Sequence, residues 1–171
     1  MLLAAAVQPL MPSTPELGQA EGRCRATETG PAFLVEAVGL KDRRGLLKLE
    51  VYPASEGDFL ADDNILLSAG KTFRRVEVPI PATGTPHLCI RVPAPGRYAL
   101  SLLHDRDANH KFGLSVDGIG FSNNPRLGWS KPKAEAAAIR AGVGLTAIAI
   151  RLNYRHGLLS FGPEGGGHAD R

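Results

Sequence analysis

The sequence predicts an all-β fold, an antiparallel β-sandwich of about seven strands with one long loop. Three observations lead there. Apolar and polar residues alternate with period two from Phe33 to Tyr154. The alternating runs recur at roughly ten-residue spacing and are parted by turn residues, in a chain holding 13 Pro and 20 Gly. Helical composition is confined to short stretches that would be unstable alone. At 171 residues the chain fits one domain with room for a proper core. Aromatics make up only 6% of it, so that core rests on Leu, Ile, Val and Ala.

The N-terminal stretch MLLAAAVQPLMPSTPELGQA is apolar, then Pro-rich, with Gly18 and Ala20 at −3 and −1 of a cleavage point. It lacks a positively charged start. Residues 1–20 are therefore read as a signal-like or disordered segment, ahead of a sandwich domain over 21–155 and a flexible tail over 156–171. Alternation begins after Pro31. In GLLKLEVYP, Leu47, Leu49 and Val51 point one way and Lys48, Glu50 and Tyr52 the other, the pattern of a half-buried strand. Residues 57–70 are mixed and have room for one helical turn. Val76, Val78 and Ile80 oppose Arg75 and Glu77 in the next strand, and Leu88, Ile90 and Val92 share a face in the one after. Pro95-Gly96 suits a type II turn, since Pro fixes the first φ and Gly accepts the positive second one. The strand it opens, 97–104, delivers His104 and Asp105 at its far end. KPKAEAAAIRAG has helical composition for only about two turns and is read as a strand at Ala136–Ala141. A last strand carries Thr146, Ile148, Ile150, Leu152 and Tyr154 on its heavy face.

Composition excludes several functions. No apolar run approaches the roughly 18 residues of a membrane-spanning helix. The 20 Lys+Arg are dispersed among 17 Asp+Glu, without the basic stripe and interleaved aromatics of a nucleic-acid binder, so no nucleic-acid partner is expected. Cys24 and Cys89 are too far apart for a CxxC metal or redox motif. In an exported protein they would pair, stabilising the fold by roughly 4 kcal/mol in the chain-entropy model. In a reducing compartment they would be two unrelated thiols.

The stretch LHDRDANHKFGLSVDGIGFSNN, residues 103–124, is the most informative. Asp105, Asp107 and Asn109 occupy alternating positions, as in a loop that wraps a hard cation, and the Lys111 carbonyl falls where a backbone ligand belongs. His110 sits where such a loop wants Gly, and Val116 where it wants Glu; Asp117 is one residue late to close the site. That ligand set predicts weak calcium binding of millimolar class. The same residue types also build Asx turns with no metal. His104 and His110 with Asp105 offer imidazole and carboxylate to a transition metal. Gly118-Ile119-Gly120 is too short for a phosphate loop, and no complete catalytic constellation is present. Beyond the acidic turn, Phe121, Asn123, Asn124 and Trp129 lie on a long excursion suited to recognising a sugar or a peptide edge. The alternative is that Phe121 and Trp129 close the core while the two Asn cap turns.

PGRYALSLLHDRDANHKFG, then DGIGFSNN, GWSKP and IAIRLNY, taken in that order, resemble a family of exported bacterial proteins, domain of unknown function 2141. The resemblance covers about residues 31–155. It implies a prealbumin-like or immunoglobulin-like sandwich and export, and it brings no known activity. The chain departs from the family pattern at Asp107, where Asn is usual, at His110, where Gly is usual, and at Gly113–Leu114, where an Asp is missing.

The combined expectation is a secreted or periplasmic, non-catalytic binding or structural module. Its working face is the 103–130 excursion, its disulfide is Cys24–Cys89, and its partner is a small ligand or an envelope protein. No cofactor is expected beyond weak calcium. The competing expectation is a metal-dependent, hydrolase-like enzyme using His104, Asp107 and His110.

Overall fold

A computed structural model describes residues 9–165, so the first eight residues of the signal-like segment and the last six of the tail lie outside the described residues. The fold is an all-β sandwich. Its first sheet joins β1 (Ala32–Val38), β4 (His87–Arg91) and β8 (Leu145–Arg151) in the order β4-β1-β8. The second is built on β3 (Arg74–Pro79), β2 (Leu46–Pro53) and β5 (Gly96–Asp105). Two short strands, β6 (Gly118–Phe121) and β7 (Ala138–Ala141), share the far edge of β5, pairing with Ser101–His104 and Gly96–Ala99 respectively. A small hairpin of β9 (Tyr154–His156) and β10 (Ser160–Gly162) runs from the end of the expected domain into the 156–171 segment expected to be loose.

The alternation sorts the residues as the sequence demands. Leu47, Leu49 and Val51 of β2, Leu100 and Leu102 of β5, and Phe33 and Val35 of β1 meet Leu88, Ile90 and Ile150 in one core between the sheets. Each such Leu, Ile or Phe, once fully buried, contributes about 1.5–3 kcal/mol relative to exposure.

Four features differ from the sequence-based expectation. First, β1 and β8 run parallel, with Val35 opposite Ile148, whereas every strand was expected to be antiparallel. The chain traverses the whole second sheet between them, so no hairpin constrains their direction. Second, the last strand breaks after Arg151. Leu152 N–H donates to the Val38 carbonyl, and Asn153 then bridges to Ile119, carrying the chain from one sheet to the other. Third, the segment expected as a strand over Ala136–Ala141 begins as a helical turn, α3 (Ala134–Ala137); only its second half, β7, is extended. Fourth, the outer face of the second sheet is covered. Phe59, Leu66 and Phe73 pack there with Tyr52, Ala99, Phe121 and Ala137, and the helix α2 (Asp63–Ser68) supplies part of the lid. Consequently β5 is buried on both faces for most of its length.

That cover changes the status of Arg75, which alternation assigns to the solvent side. It is buried, and its guanidinium donates to Glu50 Oε1 at 2.8 Å and to Asp63 Oδ2 at 3.1 Å. Burial pulls its pKa down, but the two carboxylates outweigh this and hold it above the ordinary value. Residues 11–22, most of them in the 1–20 segment expected as signal-like or disordered, lie along this edge. Thr14 and Gly18 offer carbonyls to Arg75, and a short helix, α1 (Gln19–Gly22), rests on β3. The Cys24–Cys89 disulfide ties the segment to β4.

Candidate functional site

β5 ends at His104 and Asp105, and the pleat sends the two side chains to opposite faces. His104 turns into the core and is fully buried. Its Nε2 lies 2.8 Å from the Arg44 carbonyl, which can only accept, so Nε2 carries the proton. Nδ1, 2.6 Å from Tyr154 Oη, therefore accepts the phenol O–H. Burial pushes the imidazole pKa below its ordinary value, with the positive charge of Arg106 adding to the effect against the Arg44 carbonyl and Asp42. Burial likewise raises the Tyr154 phenol. Both ring nitrogens are committed inside the protein. His104 is thus not available as the ligand-binding or metal-ligating residue that its place in the sequence suggests.

His110 does not join it. It stands on the surface with Nδ1 3.0 Å from Glu77 Oε2. The trio His104, Asp107 and His110 expected of a hydrolase-like enzyme is therefore not assembled, because one member faces the core and another a neighbouring strand.

The acidic turn is closed by its own backbone. Asp105 Oδ1 and Oδ2 accept the N–H groups of Asn109 and His110 at 3.1 and 2.8 Å. Asp117 Oδ1 and Oδ2 accept those of Arg106 and Gly113 at 2.8 and 2.7 Å. Both carboxylates are 1% exposed. Asp107, on the surface, comes close to them, and one ligand oxygen from each of the three acids lies within 4.8 Å of the others. Asn109 does not complete the expected set: its Oδ1 accepts the Lys111 N–H at 2.8 Å, an Asx turn. Ala108 and His110 take positive φ of 55° and 64° to make the turn. The conformation at His110 is one that Gly adopts more readily than a residue with a side chain.

The excursion beyond the turn behaves differently. Gly118 and Gly120 sit on β6, where a Cβ would collide with the Tyr154 ring and with the Arg151 backbone. They are packing glycines. Asn123 and Asn124 have φ of 63° and 46°, and their amides dock on backbone: Asn123 on the Ala136 carbonyl, Asn124 on both Ala149 and Arg151 of β8. The two amides expected to recognise a ligand act as braces. Phe121 closes the outer core, edge-on to Phe59.

Trp129 does not close anything. It is 65% exposed, with Phe112 at 44% and Leu114 at 42% also open to solvent. These three, with Leu60, Ile119, Phe121, Leu127 and Phe161, line an apolar pocket of about 220 Å³. A dry cavity of about 150 Å³ accepts benzene, so the pocket has room for an aromatic ring or a short acyl chain. Sequence reasoning found Phe121 and Trp129 but missed Phe112, Leu114 and Phe161. The available signal was apolar residues that fall outside the alternating runs read from the sequence, at positions where solvent would otherwise favour polar side chains.

A second, more polar hollow of about 340 Å³ adjoins it and shares Phe121, Leu127 and Phe161 as a common wall. Asn124, Arg126, Arg151 and Asn153 line its other side. Among the described residues, no helix is long and apolar enough to cross a membrane.

A bacterial family described as an uncharacterized protein conserved in bacteria (DUF2141) matches residues 35–149, more than half of the chain. No curated protein and no solved structure matches.

Proposed function

The chain belongs to the uncharacterized bacterial family DUF2141, and from that premise we propose that it is a secreted or periplasmic, non-catalytic binding module. Its working face is the 103–130 excursion, and its ligand site is the apolar pocket under Trp129. One observation carries this reading. The only Trp of the chain stands open over a concave apolar surface, where a soluble protein gains nothing by leaving it without a partner. The Cys24–Cys89 disulfide supports an oxidising compartment. The concave shape favours a small ligand over an envelope protein, which would want a broader face. An envelope partner predicts instead a co-purifying chain and no response to small molecules.

A neutral solvatochromic dye tests the pocket. Its emission should rise saturably with one site per chain, and Trp129→Ala should weaken binding several-fold without lowering the melting temperature. A dye that ignores the protein, or one that Trp129→Ala leaves unaffected, contradicts the reading.

A second reading rests on the convergence of Asp105, Asp107 and Asp117. Their remaining lone pairs suit a weakly held calcium ion, with Asp105 and Asp117 fixed by the backbone and Asp107 the exposed member. Because the turn is already closed by N–H donors, such an ion would brace it rather than drive a reaction. Melting with calcium and with EDTA decides this: an upward shift in calcium that Asp107→Asn abolishes supports it, and coincident melts refute it.

A further inference from the structure

Resting on the proposed pocket and going beyond it, we infer that its ligand is a single-chain anionic amphiphile of the acyl-carboxylate class, bound as a monomer. The apolar pocket would take the chain, and the adjoining hollow would take the head. The two cavities share the wall formed by Phe121, Leu127 and Phe161, so one molecule lying over that wall reaches both. Their polarity differs in the required sense, one being apolar and the other carrying Arg126 and Arg151. Lys131 stands at the rim of the apolar side, its ammonium on the Phe59 carbonyl at 3.2 Å.

The charges are one-sided. Three cations and no carboxylate line the two cavities among the described residues. Elsewhere basic side chains on strands and turns do find acidic partners, such as Arg97 with Glu135 and Arg106 with Asp42. Arg126 and Arg151 have no ion pair among the described residues, and their guanidinium groups make no hydrogen bond there. Two unpaired guanidinium groups beside an apolar cavity complement a carboxylate head on an apolar body. The cavity is concave and of about 220 Å³, sized for one chain rather than for a bilayer surface.

Trp129, the sole Trp, reports directly. Its emission is followed while decanoate, decan-1-ol, or vesicles of anionic phospholipid are added to the full-length protein. Decanoate below its micellar concentration should shift the emission to the blue and saturate. It should bind at least tenfold more tightly than the alcohol of equal length, and Arg126→Gln combined with Arg151→Gln should erase that preference. Both residues are exposed, so the double variant should melt with the parent. Equal affinity for the acid and the alcohol overturns the inference while leaving the apolar pocket standing. Decanoate affinity unchanged in the double variant overturns it as well, as does a response to vesicles alone. If neither chain moves the emission, the pocket reading falls with it.

Discussion

The acidic turn and the apolar excursion that follows it make an instructive pair, because each is the reverse of what its residue types advertise. The turn over 104–111, closed by Asp117, carries His, Asp and Asn in a pattern that looks reactive, yet its buried polar side chains are spoken for. His104 is held by Tyr154 and Arg44, Asp105 by two backbone N–H groups, and Asp117 by two more. The excursion over 112–131 carries Phe, Leu and Trp that look like core, yet Phe112, Leu114 and Trp129 remain open to water. A side chain is available for function when the fold leaves it without a partner, whatever its chemistry.

The sharpest way to break this contrast is to remove one of the buried carboxylates. Asp117→Ala strands the N–H groups of Arg106 and Gly113 inside the protein. A buried donor left unpaired costs about 1–3 kcal/mol, so a loss of about 3 kcal/mol is expected in urea unfolding. A loss under about 0.5 kcal/mol would mean that the turn is not structural.

Acid provides the second test. His104 has a folded pKa below its ordinary value of 6.5, so the unfolded chain binds the proton more tightly. Its contribution is intact above about 6.5 and is lost as pH falls from there toward the folded pKa. The slope is at most one proton's worth, about 1.4 kcal/mol per pH unit. Melting temperatures from pH 8 to pH 5 should fall in the parent, and His104→Gln should flatten the fall in that window. A parental profile flat from pH 7 to pH 5 contradicts the neutral, buried imidazole.

Calcium is a comparable or smaller lever. At ten times a millimolar dissociation constant, a bound ion would add about 1.4 kcal/mol, a shift of a few degrees. The smallest effect is expected at the other member of the pair. Trp129→Ser should change unfolding free energy by no more than about 0.5 kcal/mol, because its ring is already in solvent. A loss of 2 kcal/mol or more would place Trp129 in the core after all.

Much of the fold is legible in the sequence because period two leaves few choices. Leu47, Leu49 and Val51 can share one face only if the run is extended, and Ile150, Leu152 and Tyr154 keep their common face even though the strand bends at Asn153. Pairing across long separations is not written locally, which is why the parallel union of β1 and β8 went unforeseen. The lid over the second sheet escaped for the same reason. Arg75 sits on the polar side of its strand as alternation requires, and only the distant residues Thr14 and Asp63, with Phe59 and Leu66 of the lid, decide that this side is covered. At the candidate site, residue type found the acids that cluster, Asp105, Asp107 and Asp117, together with Trp129. It could not tell a satisfied carboxylate from a free one, since the partners are mostly backbone N–H groups, which every sequence contains. Nor could it see Arg126 and Arg151 meeting over one hollow, because β8 and the 122–133 segment are joined by long-range contacts such as those of Asn124 with Ala149 and Arg151.

Mapping backbone amide shifts while a neutral apolar probe is titrated to saturation tests the contrast most directly. The account predicts movement at Leu114, Leu127, Trp129 and Phe161, with the amides of Arg106, Asn109 and His110 unmoved. Shifts centred on those three amides, with the Trp129 region silent, would contradict it.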